Sequence, residues 1–176
     1  VATLLITHSH HDHIHGFPFF SPAYMGRNKL FIMGQRSANS DIGEVLSSSM
    51  YPPFFPVSLE ELKSTRLMRS MSESEVLIVD DGNEPVVRNV FRERRVEGDD
   101  PVAISLFRSY AHPRDGVYVY KIRYHNKSLV YATDIESYDG GNIKLINFAK
   151  DVDLLIHDAQ YSSEEYIDPD MSKQGF

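Results

Sequence analysis

Blocks of alternating and continuous apolar positions divide the chain into short elements. The opening run, Val1-Ala2-Thr3-Leu4-Leu5-Ile6-Thr7, is apolar and rich in β-branched residues, which predicts a strand that ends where the sequence switches to histidine. Asp12 can cap a short helix running through residues 17–20 and stopped by Ser21-Pro22. Residues 29–33 read as a strand, and Ser40 or Asp41 as the cap of a helix reaching Met50. The stretch Tyr51-Pro52-Pro53-Phe54-Phe55-Pro56 suits neither a regular helix nor a central strand. Its aromatics would wall a pocket or seal a core edge, and packing is the favoured reading. Ser58 begins another short helix.

From Thr65 onward the pattern turns β-rich. Strands are predicted over residues 75–79, 86–92 and 102–108, and residues 117–124 and 128–132 form a hairpin turning at Asn126-Lys127. An amphipathic helix over 142–150, a buried strand over 152–156 and a helix start at Ser162 complete the series. This mixture predicts an α/β sandwich of layered sheets.

The chemistry is concentrated at the end of the first strand, in His8-Ser9-His10-His11-Asp12-His13. Imidazole nitrogen and carboxylate oxygen are the ligands favoured by borderline divalent ions such as zinc. Strand side chains alternate with period two, so His8 and His10 point to one side, while a helical turn at Asp12 would aim Asp12 and His13 at a second point nearby. One segment can thus offer a pair of ligands to each of two adjacent ions. A histidine tag would not be fused to an apolar strand and interrupted by a carboxylate. His11 and His15 fall outside the pattern and read as surface or packing residues. His112, in Tyr110-Ala111-His112-Pro113, and Asp134, in Tyr131-Ala132-Thr133-Asp134, also follow strand ends. A histidine there suits a ligand as well as a packing role, and an aspartate alone is more often a turn residue.

Composition narrows the setting. At 176 residues, 41% hydrophobic and 24% charged, the chain has room for about one globular domain with a buried core. It has no cysteine, so any metal must be held by nitrogen and oxygen. The formal charge of -7 is not that of a nucleic-acid binder as a whole, although a local basic groove is compatible with it. The basic cluster Arg92, Arg94 and Arg95 reads as a solvated face rather than a phosphate contact. No apolar run approaches the roughly 18 residues needed to span a bilayer, and no secretory signal precedes the metal motif. Cytoplasm is the default compartment expected.

Taken together, H-x-H-x-D-H, the later His112 and then Asp134 resemble the metallo-β-lactamase superfamily. The segments THSHHDHIHGFPFF, GVYVYKIRYHNKSLVYATDIE and VDLLIHDAQYSSEEY are similar to its phosphodiesterase branch, which includes transfer-RNA 3′-processing endonucleases (tRNase Z) and a phosphoribosyl cyclic phosphodiesterase. The fold this implies is an αββα sandwich with the site at one edge of two sheets. The resemblance implies two divalent ions, zinc with manganese or iron as alternatives. His8, His10 and His112 would hold the first ion, Asp12 and His13 the second, and Asp134 would bridge them. Asp12 would also orient the nucleophile, a hydroxide shared by the ions. His157-Asp158-Ala159 stands where tRNase Z-like proteins carry His-Glu-Ala-Thr, so His157 and Asp158 become candidate catalytic residues for leaving-group protonation. A structural strand-end pair is an equal reading for His157.

The expected function is therefore a metal-dependent hydrolase, foremost a phosphodiesterase. With acidic charge and no Gly/Pro-rich arm, a small cyclic or nucleotide-like diester is favoured over nucleic acid; no membrane partner is expected, and a homodimer is allowed. The alternatives are thioester, lactone or lactam hydrolysis on the same centre, or a metal-binding or sensory module that has lost catalysis. Support for the last is the absence of the superfamily's final Gly-His-Ser/Thr ligand: the chain closes on Gln174-Gly175-Phe176. The strands that normally precede the first motif are absent too. The expectation is a single domain over 1–176 that is a fragment at both ends.

Overall fold

The computed structural model describes residues 1–37, 40–91, 101–112, 115–136 and 140–167. Arg92, Arg94, Arg95 and Gln174-Gly175-Phe176 lie outside the described residues. Two sheets face each other. The smaller is parallel in the order β1-β2-β3, from β1 (Ala2–Leu5), β2 (Lys29–Gly34) and β3 (Thr65–Ser70). The larger runs β5-β4-β6-β7-β8-β9, from β4 (Glu75–Val79), β5 (Val86–Asn89), β6 (Val102–Ser109), β7 (Val117–Tyr124), β8 (Lys127–Ala132) and β9 (Leu154–His157). Its pairings are antiparallel except β8 with β9.

Strand β2 shows how sequence becomes layering. It lies between β1 and β3 and is buried on both faces, so it reads as the continuous apolar run Leu30-Phe31-Ile32-Met33 rather than as an alternation. With period two, Leu30 and Ile32 join the core beneath Ile42, Leu46 and Met50. Phe31 and Met33 point the other way and pack with Leu77, Ile104, Leu106, Tyr118 and Tyr120 of the larger sheet. On the far side of that sheet Phe107, Val117, Val119 and Val130 pack against Leu145 of α3 (Ile143–Phe148). The result is helix, sheet, sheet, helix: a partial αββα sandwich, the architecture expected from the motifs.

Helix α2 (Ile42–Ser49) is closed by Asp41. Its Oδ1 accepts from the Glu44 N–H at 3.0 Å, while Glu44 Oε2 accepts from the Asp41 N–H at 2.9 Å. Two amides without helical partners are thus satisfied reciprocally. Asp41→Ala is expected to cost about 1 kcal/mol, which for a chain of this size lowers Tm by about 2–4 °C in a thermal melt.

Several expectations shift. The helix after the histidine motif, α1 (His11–Ile14), has His10 rather than Asp12 at its N-cap, without a side-chain cap bond. Gly16 and Pro18 then break it into 3-10 turns over Phe17–Phe19 and Ser21–Tyr24. The hairpin turns at His125-Asn126, with His125 at φ +49°, so Lys127 already belongs to β8. The strand expected to be buried over 152–156 is instead β9, an edge strand whose Leu154, Leu155 and Ile156 are exposed. It has one paired neighbour, and no described element covers it. Of the proline-aromatic stretch, Phe55 packs at the helix-side core, whereas Tyr51 and Phe54 face solvent. No helix among the described residues is long and apolar enough to cross a membrane.

Candidate metal centre

Strands β1, β6 and β8 all deliver their carboxyl ends to the same rim of the sandwich. There the chain leaves β1 into His8-Ser9-His10, leaves β6 toward His112 and leaves β8 toward Asp134. Backbone bonds fix the convergence. The Ile6 N–H donates to Met33 O at 2.8 Å, and the Tyr118 N–H donates to Thr7 O at 2.8 Å, so the end of β1 is held by both sheets. The Glu136 N–H donates to Ala111 O at 2.7 Å, tying the segment after Asp134 to the one before His112. Gly116, at φ +73°, lets β7 begin so close to β6 that a Cβ there would collide with the Ser109 carbonyl.

Two donor groups result. His8, His10 and His112 form one; His8, His13 and Asp134 form the other; within each, the candidate ligand atoms lie within 4.8 Å of one another. His112 Nε2 is 3.0 Å from His10 Nδ1, and Asp134 Oδ2 is 3.2 Å from His13 Nε2. His8 sits in both groups, its ring 4.2–4.6 Å, centroid to centroid, from those of His13, His112 and His10. It is 1% exposed, Thr7 Oγ1 engages its Nδ1 at 3.2 Å, and its Nε2 is buried without a hydrogen-bond partner. A buried polar nitrogen with no partner carries a desolvation cost. Burial first, then the neighbouring rings of His13, His112 and His10, pushes the His8 pKa down to about 3, leaving a neutral imidazole. Burial lowers the His112 pKa as well. Neutral imidazole nitrogens aimed at one point, one of them orphaned, are a donor set that fits a divalent cation.

The other sequence-predicted residues are placed differently. Asp12 lies in neither group; its side chain is 63% exposed and Oδ2 rests 3.0 Å from His13 Nε2. His157 and Asp158 form a separate pair at the end of β9. His157 Nδ1 lies 2.7 Å from its neighbour's backbone oxygen and 3.1 Å from Asp158 Oδ1. Register sets His157 beside Ala132, two positions before Asp134. His11 and His15 face solvent and stack on each other at 4.7 Å.

Sequence reasoning missed the supports. Tyr120, 1% exposed, donates its hydroxyl to Ile6 O at 2.8 Å beneath the ligand segment. Thr7 fixes which His8 nitrogen is free. Buried Asn142 caps α3 through its Oδ1 and reaches Ser109 Oγ through its Nδ2, and that hydroxyl oxygen accepts from the Ala111 N–H at 3.3 Å. Asp134 itself stands at φ +56°, in the left-handed region that aspartate enters more readily than most residues. An outlier of that kind at a site is held by its surroundings.

The fold and the site together define the class as a four-layer α/β sandwich with a His–Asp cluster at one rim. Two curated relatives named Ribonuclease Z, from two strains of Halobacterium salinarum, are 24% identical to this chain over 197 residues. The match covers 93% of this chain and 59% of theirs, so the chain spans less than two thirds of the length of these relatives. No family model matches. A similar solved structure, the metallo-beta-lactamase fold protein YhfI from Bacillus subtilis, is 17% identical with a TM-score of 0.48, covering 88% of this chain and 48% of that one.

Proposed function

We propose that this chain carries a binuclear metal-dependent phosphodiesterase centre. The observation that supports it best is the buried, unpartnered Nε2 of His8, standing in both the His8–His10–His112 and the His8–His13–Asp134 groups. In this reading His8, His10 and His112 would hold one divalent ion, Asp12 and His13 would hold a second, and Asp134 would serve both. Zinc is the ion best suited to the nitrogen-rich set. Such ions supply Lewis-acid polarisation of a phosphoryl oxygen and a lowered pKa for water. The protein's own part is positioning. Tyr120 and Thr7 hold the ligand segment, and Asp12, exposed toward solvent, is free to turn to a nucleophilic water. His157 protonates the leaving oxygen while Asp158 keeps its ring oriented.

For the substrate, the acidic net charge favoured a small cyclic or nucleotide-like diester. The name of the two Halobacterium relatives points instead toward RNA, and we take an RNA phosphodiester as the substrate class. Bis(p-nitrophenyl) phosphate, a thioester and a lactone offered in parallel to the zinc- or manganese-loaded protein should give turnover of the diester alone. Turnover of the thioester or lactone with none of the diester would overturn the assignment. About two ions per chain are expected by elemental analysis; one or none would favour a module without catalysis.

A further inference from the structure

A second feature opens on the same rim. A groove of about 750 Å³ lies at the ends of β2, β3 and β6, and Arg36, Ser70, Glu73, Arg108, Tyr110 and Asp115 are among its lining residues. Its charges are unevenly committed. Glu73 is bound by Lys144 at 2.8 Å and accepts from the Arg108 N–H at 2.8 Å. Burial pushes the Glu73 pKa up, but Lys144 and the Arg108 contacts outweigh it and keep the carboxylate ionised. Glu75, also on the wall, is bound by Arg69 at 2.5 Å. Asp115 sits exposed at the margin.

Among the described residues neither arginine side chain is in ion-pair contact with a carboxylate, although Arg108 lies close enough to Glu73 to favour its charge. Arg108 donates through Nη2 to the Arg36 carbonyl at 2.7 Å and lies over the Tyr118 and Tyr110 rings, 5.3 and 6.0 Å from their centroids. Its Nε is buried without a hydrogen-bond partner, as is the Ser70 hydroxyl. The Arg36 side chain is exposed, with no carboxylate partner among the described residues. Both arginines line the groove, and an exposed guanidinium without a carboxylate partner is the group that receives a phosphate in forked hydrogen bonds. Tyr110, 68% exposed, stands two residues before His112 and offers a free ring face to a base.

We infer that the Arg36–Arg108 groove binds a backbone phosphate of a single-stranded RNA next to the one presented to the histidine cluster, with Tyr110 stacking on a base between them. This deepens the diesterase reading and rests on it only for the choice of strand. It also reconciles an acidic molecule with a polyanionic substrate, because the contact surface is local.

The test is fluorescence anisotropy of a 5′-labelled single-stranded oligoribonucleotide with the full chain in EDTA, so that binding is read without cleavage. Arg36→Ala should weaken binding about tenfold and reduce the slope of log K against log salt by about 0.7, the value of one lost single-strand phosphate contact. Arg27→Ala is the charge-matched control, an exposed arginine before the opposite end of β2. Equal effects of the two substitutions would overturn the proposal. So would inorganic phosphate displacing the strand as well as a longer oligonucleotide does, which would make the groove a site for small anions. Diester turnover by the metal-loaded wild-type protein is measured separately: its absence would sink the diesterase reading and leave the binding result to stand or fall by itself.

Discussion

His8→Ala is expected to weaken metal binding by the cluster sharply, because it removes the buried, unpartnered nitrogen of the one side chain found in both donor groups. Partners that only orient metal ligands are typically worth about 10–100-fold in affinity or activity, so loss of a ligand itself should cost diester turnover at least about 100-fold. Stability supplies an independent reading. Zinc present at about 100 times its dissociation constant stabilises the fold by about 2.7 kcal/mol, which in a chain of this size raises Tm by about 5–10 °C. That rise should appear in the wild-type protein and vanish in His8→Ala. The metal-free variant itself should not be badly destabilised, since the substitution also deletes a buried nitrogen that lacks a partner. His11→Ala, three positions along but exposed and outside both groups, should keep the zinc response. A full zinc-dependent Tm rise in His8→Ala would show that the cluster is not built around His8.

The elements most legible in the sequence were those whose signal is local. A continuous apolar run marked β2, alternation and β-branched runs marked β4, β6, β7 and β8, and Asp41 and Asn142 marked helix starts, because a strand's faces and an N-cap each depend on a few consecutive residues. The histidine motif was legible for the same reason. What remained hidden depends on contacts distant in the chain. Tyr120 reaches the Ile6 carbonyl, Glu136 reaches Ala111, and Arg108 reaches Arg36; no window of sequence contains both partners. The fate of β9 was hidden likewise. An apolar Leu154-Leu155-Ile156 run has the composition of a buried strand, and only the strand order reveals an edge. Even within the motif, spacing gave no account of Asp12 turning back on His13. There α1 begins at His11, two residues earlier than the cap expected at Asp12 would allow, so Asp12 already lies inside the first helical turn.

The metal-free protein should lose stability on acidification, and His8 should account for much of the loss. The ordinary histidine pKa of 6.5 applies to the unfolded chain, whereas in the fold burial and the adjacent imidazoles hold His8 near 3. Between these values the unfolded chain takes up a proton that the fold refuses, so the unfolding free energy falls as pH drops from about 6.5 toward 3 and is untouched by His8 above that window. From pH 7 to pH 4.5 the loss assignable to His8 is about 2–3 kcal/mol. His112, lowered mainly by burial and His10 and opposed by Asp134 and Glu136, adds in the same direction. His8→Gln keeps much of the volume and removes the titrating group. Urea denaturation in EDTA at the two pH values should therefore show a shallower loss in the variant, with m unchanged, so that the difference lies in stability and not in compactness. Parallel pH dependence in the two proteins would mean that His8 is solvated or protonated in the fold. A solvated or protonated His8 could not stand as the neutral donor common to both groups, so this titration tests the proposed centre without any metal being added.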